Sequence, residues 1–187
     1  MRTIMPAFAR YPGAGTIIGR LITGYGDLEF SLAWAVAWLI GGDEDVAFKV
    51  MYRSPGEEAR LRMADALVRG KLVPGKTRTR FEQAIAAMHE CRKIRNHYAH
   101  CQWGDDGRGL WFVDLQEIAN KAADYDLKAL TQHVVDMSLL REQEEYFCFV
   151  ADCISWLTFE GQAMAGRLSA NHFAEVHRSE PPPPLHR

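Results

Sequence analysis

The spacing of apolar side chains after residue 15 constrains this chain most. Ile18, Leu21, Tyr25, Leu28, Leu32, Val36 and Leu39 recur at steps of three and four, the period that lines one face of an α-helix. The pattern predicts a long first helix with Thr16 as its N-cap and Gly41-Gly42 as its stop. Its densest apolar run, Leu32 to Ile40, is nine residues, about half of what a membrane span needs. It therefore reads as a buried helix, and no membrane is expected as a partner. Gly24 and Gly26 weaken this helix by about 1 kcal/mol each relative to Ala. They mark either a close helix approach at a dimer or substrate surface, or a tolerated flaw.

Further along, Ser54-Pro55-Gly56-Glu57 reads as a second helix start, with Ser54 as cap, Pro55 at the first helical position and Glu57 completing a capping box. That helix carries Leu61, Ala64, Leu67 and Val68 and should end near Gly70. After Pro74-Gly75, Thr79-x-x-Glu82 predicts the start of a third helix, with Phe81, Ile85, Met88 and Ile94 along one side. Gln102-Trp103, the turn Gly104-Asp105-Asp106-Gly107 and Leu110-Trp111-Phe112-Val113 then read as a β-hairpin. A lone hairpin is marginal, so Trp103, Trp111 and Phe112 should pack it onto the helices. A final helix is expected from Asp124 or Asp126 to Met164, with Leu127, Leu130, Val134 and Met137 buried and a phase change around Arg141–Glu145.

The expected architecture is all-α: a four- to five-helix bundle with a short β-hairpin inserted before the last long helix. Residues 1–15 form a lead-in closed by Tyr11-Pro12-Gly13, residues 16–170 a single domain, and residues 171–187 a Pro-rich tail, disordered or extended.

A chain of 187 residues is long enough for one well-buried core. Hydrophobic residues at 48% and charged residues at 25% are ordinary for a globular protein. Cys91, Cys101, Cys148 and Cys153 lack paired metal-ligand spacing. No metal or other cofactor is expected, and the setting expected is cytoplasmic. A net charge of −2 argues against indiscriminate nucleic-acid binding. One stretch is nevertheless basic: Arg69, Lys71, Lys76, Arg78, Arg80, Arg92, Lys93 and Arg95 face only Glu82 and Glu90. It reads as a solvated helix face or as a nucleic-acid surface.

The chemistry is concentrated at Arg95-Asn96-His97-Tyr98-Ala99-His100. On a helix, Ala99 lies about 40° from Arg95, Asn96 about 100° and His100 about 140°. One arc thus carries a fixed cation, an amide and an imidazole, with a methyl between them. Histidine moves protons near neutral pH. Arginine presents a planar fork to phosphate and stabilises charge growing at a phosphorane-like transition state. Asparagine can hold the histidine tautomer or contact phosphate. The trio suits RNA cleavage by the substrate's own 2′-hydroxyl without a metal. The same residues also suit a helix C-terminus, where cations and a capping asparagine are favoured.

Arg95-Asn96-x-x-x-His100 resembles the R-x(4–6)-H motif of HEPN domains, in the form where a polar residue follows the arginine. The helix order is similar to that family over roughly residues 16–165. The resemblance implies a helical bundle of HEPN type and a homodimer whose facing motifs form one composite ribonuclease site. His100 would be the acid/base, Arg95 the phosphate contact and Asn96 the orienter. Arg92, Lys93 and Tyr98 are the accompanying substrate-binding candidates. The implied setting is a toxin, a defence system or RNA processing, with RNA and an antitoxin protein as partners. Some HEPN toxins carry a tyrosine two positions after the histidine, modified by a nucleotidyltransferase antitoxin. Gln102 stands there in this chain, leaving Tyr98 as the candidate. Inactive HEPN scaffolds and nucleotide- or partner-binding members supply the alternative.

Other side chains read more plainly. His97 is expected at the surface or against the hairpin, and His89 and Cys91 in packing rather than on a metal. Asp27 and Glu29 flank the first apolar stripe as a solvent-facing pair, or reach Arg95 or His100. Trp34, Trp38 and Trp156 suit a core or dimer interface. Trp103 and Trp111 could stack RNA bases if exposed.

Overall fold

The computed structural model describes residues 4–115, 131–169 and 181–187. Among them the chain is mostly helical, with a small antiparallel sheet of three strands. The helices are α1 (Pro6–Arg10), α2 (Pro12–Leu39), α3 (Glu44–Arg53), α4 (Glu57–Lys71), α5 (Lys76–Ala99) and α6 (Met137–Met164). The strands are β1 (Cys101–Asp105), β2 (Leu110–Asp114) and β3 (His133–Val134). No described helix is long and apolar enough to cross a membrane.

Helix α2 is the central element. It lies most extensively along α6 and also contacts α3, α4 and α5. Its predicted stripe is buried: Ile18, Leu21, Leu32 and Val36 are essentially inaccessible. The two helices approach closely at Gly161. A Cβ there would stand 2.7 Å from Trp38 Cβ and 2.9 Å from the Trp38 carbonyl carbon. Gly24 and Gly26 have no such neighbour within 4 Å. Close packing therefore requires a glycine on α6, at a position the sequence reading passed over.

Several predicted boundaries are corrected. Helix α2 begins at Pro12, whose missing N–H costs nothing in a first turn. Thr16 is inside it and donates from Oγ1 to the Pro12 carbonyl at 2.8 Å, so it is not the cap. The supposed lead-in includes α1, and Ala7 and Ala14 join the core. Gly41 and Gly42, at φ 122° and 85°, do end α2. The Gly42 amide donates to the Ala37 carbonyl at 2.8 Å.

Helix α3 is an addition to the expected set. Asp43 caps it by accepting from the Val46 amide at 2.9 Å, and Ala47 and Met51 are its buried positions. Ser54 closes α3, its amide donating to the Met51 carbonyl at 3.2 Å, rather than opening α4. Gly56 at φ 80° is the N-cap of α4, leaving Glu57 in the first turn. Helix α5 starts at Lys76, and the Thr79 amide donates to the Gly75 carbonyl at 3.0 Å within its first turn.

The hairpin forms as expected, with Trp103 opposite Phe112 and Cys101 opposite Asp114. Strand β3 adds His133 opposite Phe112 and Val134 opposite Trp111. Val134 is therefore a strand residue and not part of the last helix. That helix begins at Met137, where Asp136 accepts from the Ser138 and Leu139 amides at 2.8 and 3.2 Å. The predicted start at Asp124 or Asp126, with Leu127 and Leu130, lies outside the described residues.

The Pro-rich end is ordered against the fold from Pro181 to Arg187. Leu185 packs on the core, and buried Gln143 donates from Nε2 to the Pro184 carbonyl at 2.7 Å. Of the two readings of the tail, the extended arm is the one seen for these residues.

Candidate functional site

The motif occupies the last turn of α5. Apolar Met88, Cys91 and Ile94 anchor the helix inward, which turns Arg95 and Asn96 to a half-buried position and leaves Ala99 and His100 exposed. His100 is the C-cap, and its amide donates to the Asn96 and His97 carbonyls at 3.1 and 3.3 Å. Its imidazole side is open to solvent. Arg95 Nη1 donates to Asn96 Oδ1 at 2.7 Å and lies 3.0 Å from Glu57 Oε1. Asn96 thus orients the guanidinium rather than an imidazole.

Glu57 is the residue whose role at this site was missed. It sits in the first turn of α4, beside Glu58, which lies 2.6 Å from Arg92 Nη2 and 3.5 Å from His89 Nδ1. A carboxylate in a first helical turn is favoured by the helix dipole, and here it meets the cations of the neighbouring α5. The first-turn Glu pair was the signal, but it read as capping chemistry. Nearby, Glu29 of α2 is spent on Arg60: both carboxylate oxygens accept from the fork at 2.9 Å in a largely buried bidentate pair. The solvent-facing reading of this pair holds for exposed Asp27, which lines a groove of about 220 Å³ between α2 and α6, and is corrected for Glu29, which is buried at 6% exposure against Arg60. Tyr25 is 1% exposed, and its hydroxyl has no hydrogen-bond partner among the described residues. Burial and then the fields of Glu29 and Glu57 push its pKa up.

The basic stretch is largely neutralised in place. Arg69 pairs with Asp65 at 2.7 Å, Arg78 with Glu82 at 3.2 Å and Lys93 with Glu90 at 2.8 Å. Lys76 lies over the Trp156 ring at 5.9 Å. Of the substrate-binding candidates, Lys93 is exposed and Arg92 half-buried. Tyr98 must be corrected. It is 3% exposed, and its hydroxyl donates to Gln143 Oε1 at 2.7 Å, so it contacts neither a substrate nor a modifying partner in this conformation. Trp103 is half-buried rather than exposed, its ring packed against Phe8, Tyr98 and Phe112 at centroid distances of 5.1–5.9 Å.

A second constellation lies behind the motif. His97 is 3% exposed, and its Nδ1 stands 2.9 Å from Asp114 Oδ2 on β2. A carboxylate accepts, so Nδ1 carries the proton and Nε2 of the neutral ring carries the lone pair. That Nε2 is buried without a hydrogen-bond partner among the described residues. Burial holds the His97 pKa below its ordinary value, Asp114 opposes this, and His186 and His133 add to the lowering. His97 therefore does meet the hairpin, but as a core residue and not a surface one.

Comparison with protein-family profiles, characterised proteins and solved structures finds no match to this chain.

Proposed function

We propose that the chain is a metal-independent endoribonuclease of HEPN type, acting as a homodimer in which two copies of the Arg95/Asn96/His100 motif form one site. The observation that carries the reading is the last turn of α5: an exposed imidazole at His100, the small Ala99, and an arginine fork held by Asn96. The mostly helical fold with a hairpin after α5 is compatible with it.

In the proposed reaction the RNA 2′-hydroxyl attacks the adjacent phosphorus, and the bond to the 5′-oxygen breaks. His100 takes the 2′ proton, and a second His100, from the other copy, protonates the leaving oxygen. Arg95 exchanges Glu57 for a phosphate oxygen and stabilises the added charge. Asn96 keeps the fork oriented through that exchange. Lys93 and Arg92 would meet flanking phosphates, a term that weakens with salt. The biological setting this suits is a toxin, defence or RNA-processing component, held by an antitoxin partner.

One observation favours a second reading, a catalytically inactive HEPN-like dimer that binds a partner or nucleotide. Arg92 and Arg95 are each occupied by a carboxylate of α4. Incubating labelled RNA in EDTA with the wild-type protein and a His100→Ala variant separates the two. Cleavage by the wild type alone supports the nuclease, and no cleavage by either supports the binding module.

A further inference from the structure

Helix α2 carries a second pattern on the side that its core stripe leaves open. Thr16-x-x-Gly19-Arg20-Leu21 is followed seven residues later by Thr23-x-x-Gly26-Asp27-Leu28, and then by Phe30. The two leucines face the core, at 1% and 4% exposure, whereas every other named position in the repeat is exposed. A seven-residue period keeps one seam of a helix in line over two turns, which is the spacing that a second helix packs against. Inside this chain the seam is bare at its glycines. A Cβ built at Gly19 or at Gly26 meets nothing within 4 Å.

Three features of the seam point to its occupant. Phe30 is 55% exposed, yet its ring is oriented by Phe48 and Trp34 at centroid distances of 5.2 and 6.5 Å, the form of an aromatic anchor. The threonine hydroxyls are satisfied within the helix. Thr16 donates to the Pro12 carbonyl at 2.8 Å and Thr23 to the Gly19 carbonyl at 2.9 Å, so covering them strands no polar group. The third feature is a reversal of charge at the repeated position, Arg20 in the first unit and Asp27 in the second. Arg20 gives Nε and Nη2 to Glu144 of α6, leaving Nη1 for a second acceptor. Asp27 makes no hydrogen bond or ion pair among the described residues.

We propose that this face of α2 pairs with the same face of a second copy of the chain, the two helices running antiparallel about a two-fold axis. In that register Phe30 fills the space over the partner's Gly19, Thr23 lies on the partner's Gly26, and Arg20 meets the partner's Asp27. The axis makes each contact twice. A parallel pair would set Arg20 on Arg20 and Asp27 on Asp27, so the charges choose the antiparallel one. The seam is about 20 Å of helix about 10 Å wide. That is small beside the roughly 800 Å² per partner of a standard interface, so pairing belongs at micromolar rather than nanomolar concentration. No residue of the Arg95/Asn96/His100 motif takes part, and the pairing stands or falls apart from the nuclease reading.

Sedimentation velocity of the full chain from about 1 to about 100 µM tests this without RNA. The wild type should pass from one copy to two across that range. Gly19→Leu puts a good helix former where the monomer has open space, so the fold is kept while the site for Phe30 is filled. It should weaken pairing by about tenfold or more. Asp27→Arg and Arg20→Glu each set like charges against each other in their own pairs, and each alone should weaken pairing by a similar factor at low salt. Mixed in equal amounts, these two variants are complementary at both contacts, and pairing should return to within about threefold of the wild type. A wild type that stays monomeric at 100 µM would overturn the proposal. So would pairing that ignores Gly19→Leu or the single charge changes, or a mixture that fails to pair.

Discussion

Arg95 Nη1 stands 3.0 Å from Glu57 Oε1, so the cation expected to receive phosphate is already paired across the α4–α5 contact. Any anion that reaches this fork must displace a carboxylate. Glu57→Gln keeps the shape and removes the competing charge. RNA should then bind about threefold to tenfold more tightly, on the order of 1 kcal/mol for a half-buried pair. Fluorescence anisotropy with a labelled single-stranded RNA measures it, and unchanged or weaker binding would detach Arg95 from the phosphate role.

The buried Glu29–Arg60 pair makes a stability prediction of a different kind. Removing one partner leaves the other charge enclosed, which typically costs about 3–5 kcal/mol. Arg60 retains some exposure, at 19%, so the lower end is expected for Glu29→Ala. Urea denaturation should show a clearly lowered midpoint with an unchanged slope. A loss below about 1 kcal/mol would mean the pair is solvated in solution.

Glycines on the two long helices should respond in opposite directions. Gly161→Ala places a methyl 2.7 Å from Trp38 Cβ and against α2 backbone, and overpacking of this kind costs about 1–3 kcal/mol. Gly26→Ala meets nothing within 4 Å and should stabilise α2 by up to about 1 kcal/mol. Thermal unfolding of the two variants in dilute, unpaired protein reads both signs, and a destabilising Gly26→Ala would show that the monomer itself packs on that face.

His97 predicts how stability depends on pH. Its pKa is lowered in the folded chain, chiefly by burial. The unfolded chain therefore binds the proton first, and this residue's contribution is present above about pH 6.5 and lost as pH falls below it. Denaturation midpoints of the wild type should drop more steeply on acidification than those of His97→Phe. Parallel slopes would show that the ring is solvated in the folded state.

Much of this fold was legible because the signals were periodic or local. The stripe from Ile18 to Leu39 has only one helical solution, and Gly41-Gly42 punctuates it. The hairpin is announced by Asp105-Asp106-Gly107, whose carboxylates accept from the Gly107, Arg108 and Gly109 amides. Helix starts were harder, because Ser54 and Thr79 have capping chemistry that a preceding helix or an earlier first turn can use instead. Val134 and Met137 fit one helical period by coincidence, while β3 and the Asp136 cap stand between them. At the candidate site, the motif's own residues were legible from spacing. Their carboxylate partners were not, since Glu57 and Glu58 reach Arg95 and Arg92 only through the packing of α4 on α5. The same holds for His97, whose partners Asp114, His133 and His186 come from three distant segments.

The most direct measurement is the identity of the product ends when RNA is incubated in EDTA with the wild-type protein, His100→Ala and Arg95→Ala. The wild type should leave 2′,3′-cyclic phosphate ends, and either variant should lose at least about a hundredfold in rate. Cleavage that survives in His100→Ala, or products bearing 3′-hydroxyl ends, would contradict it.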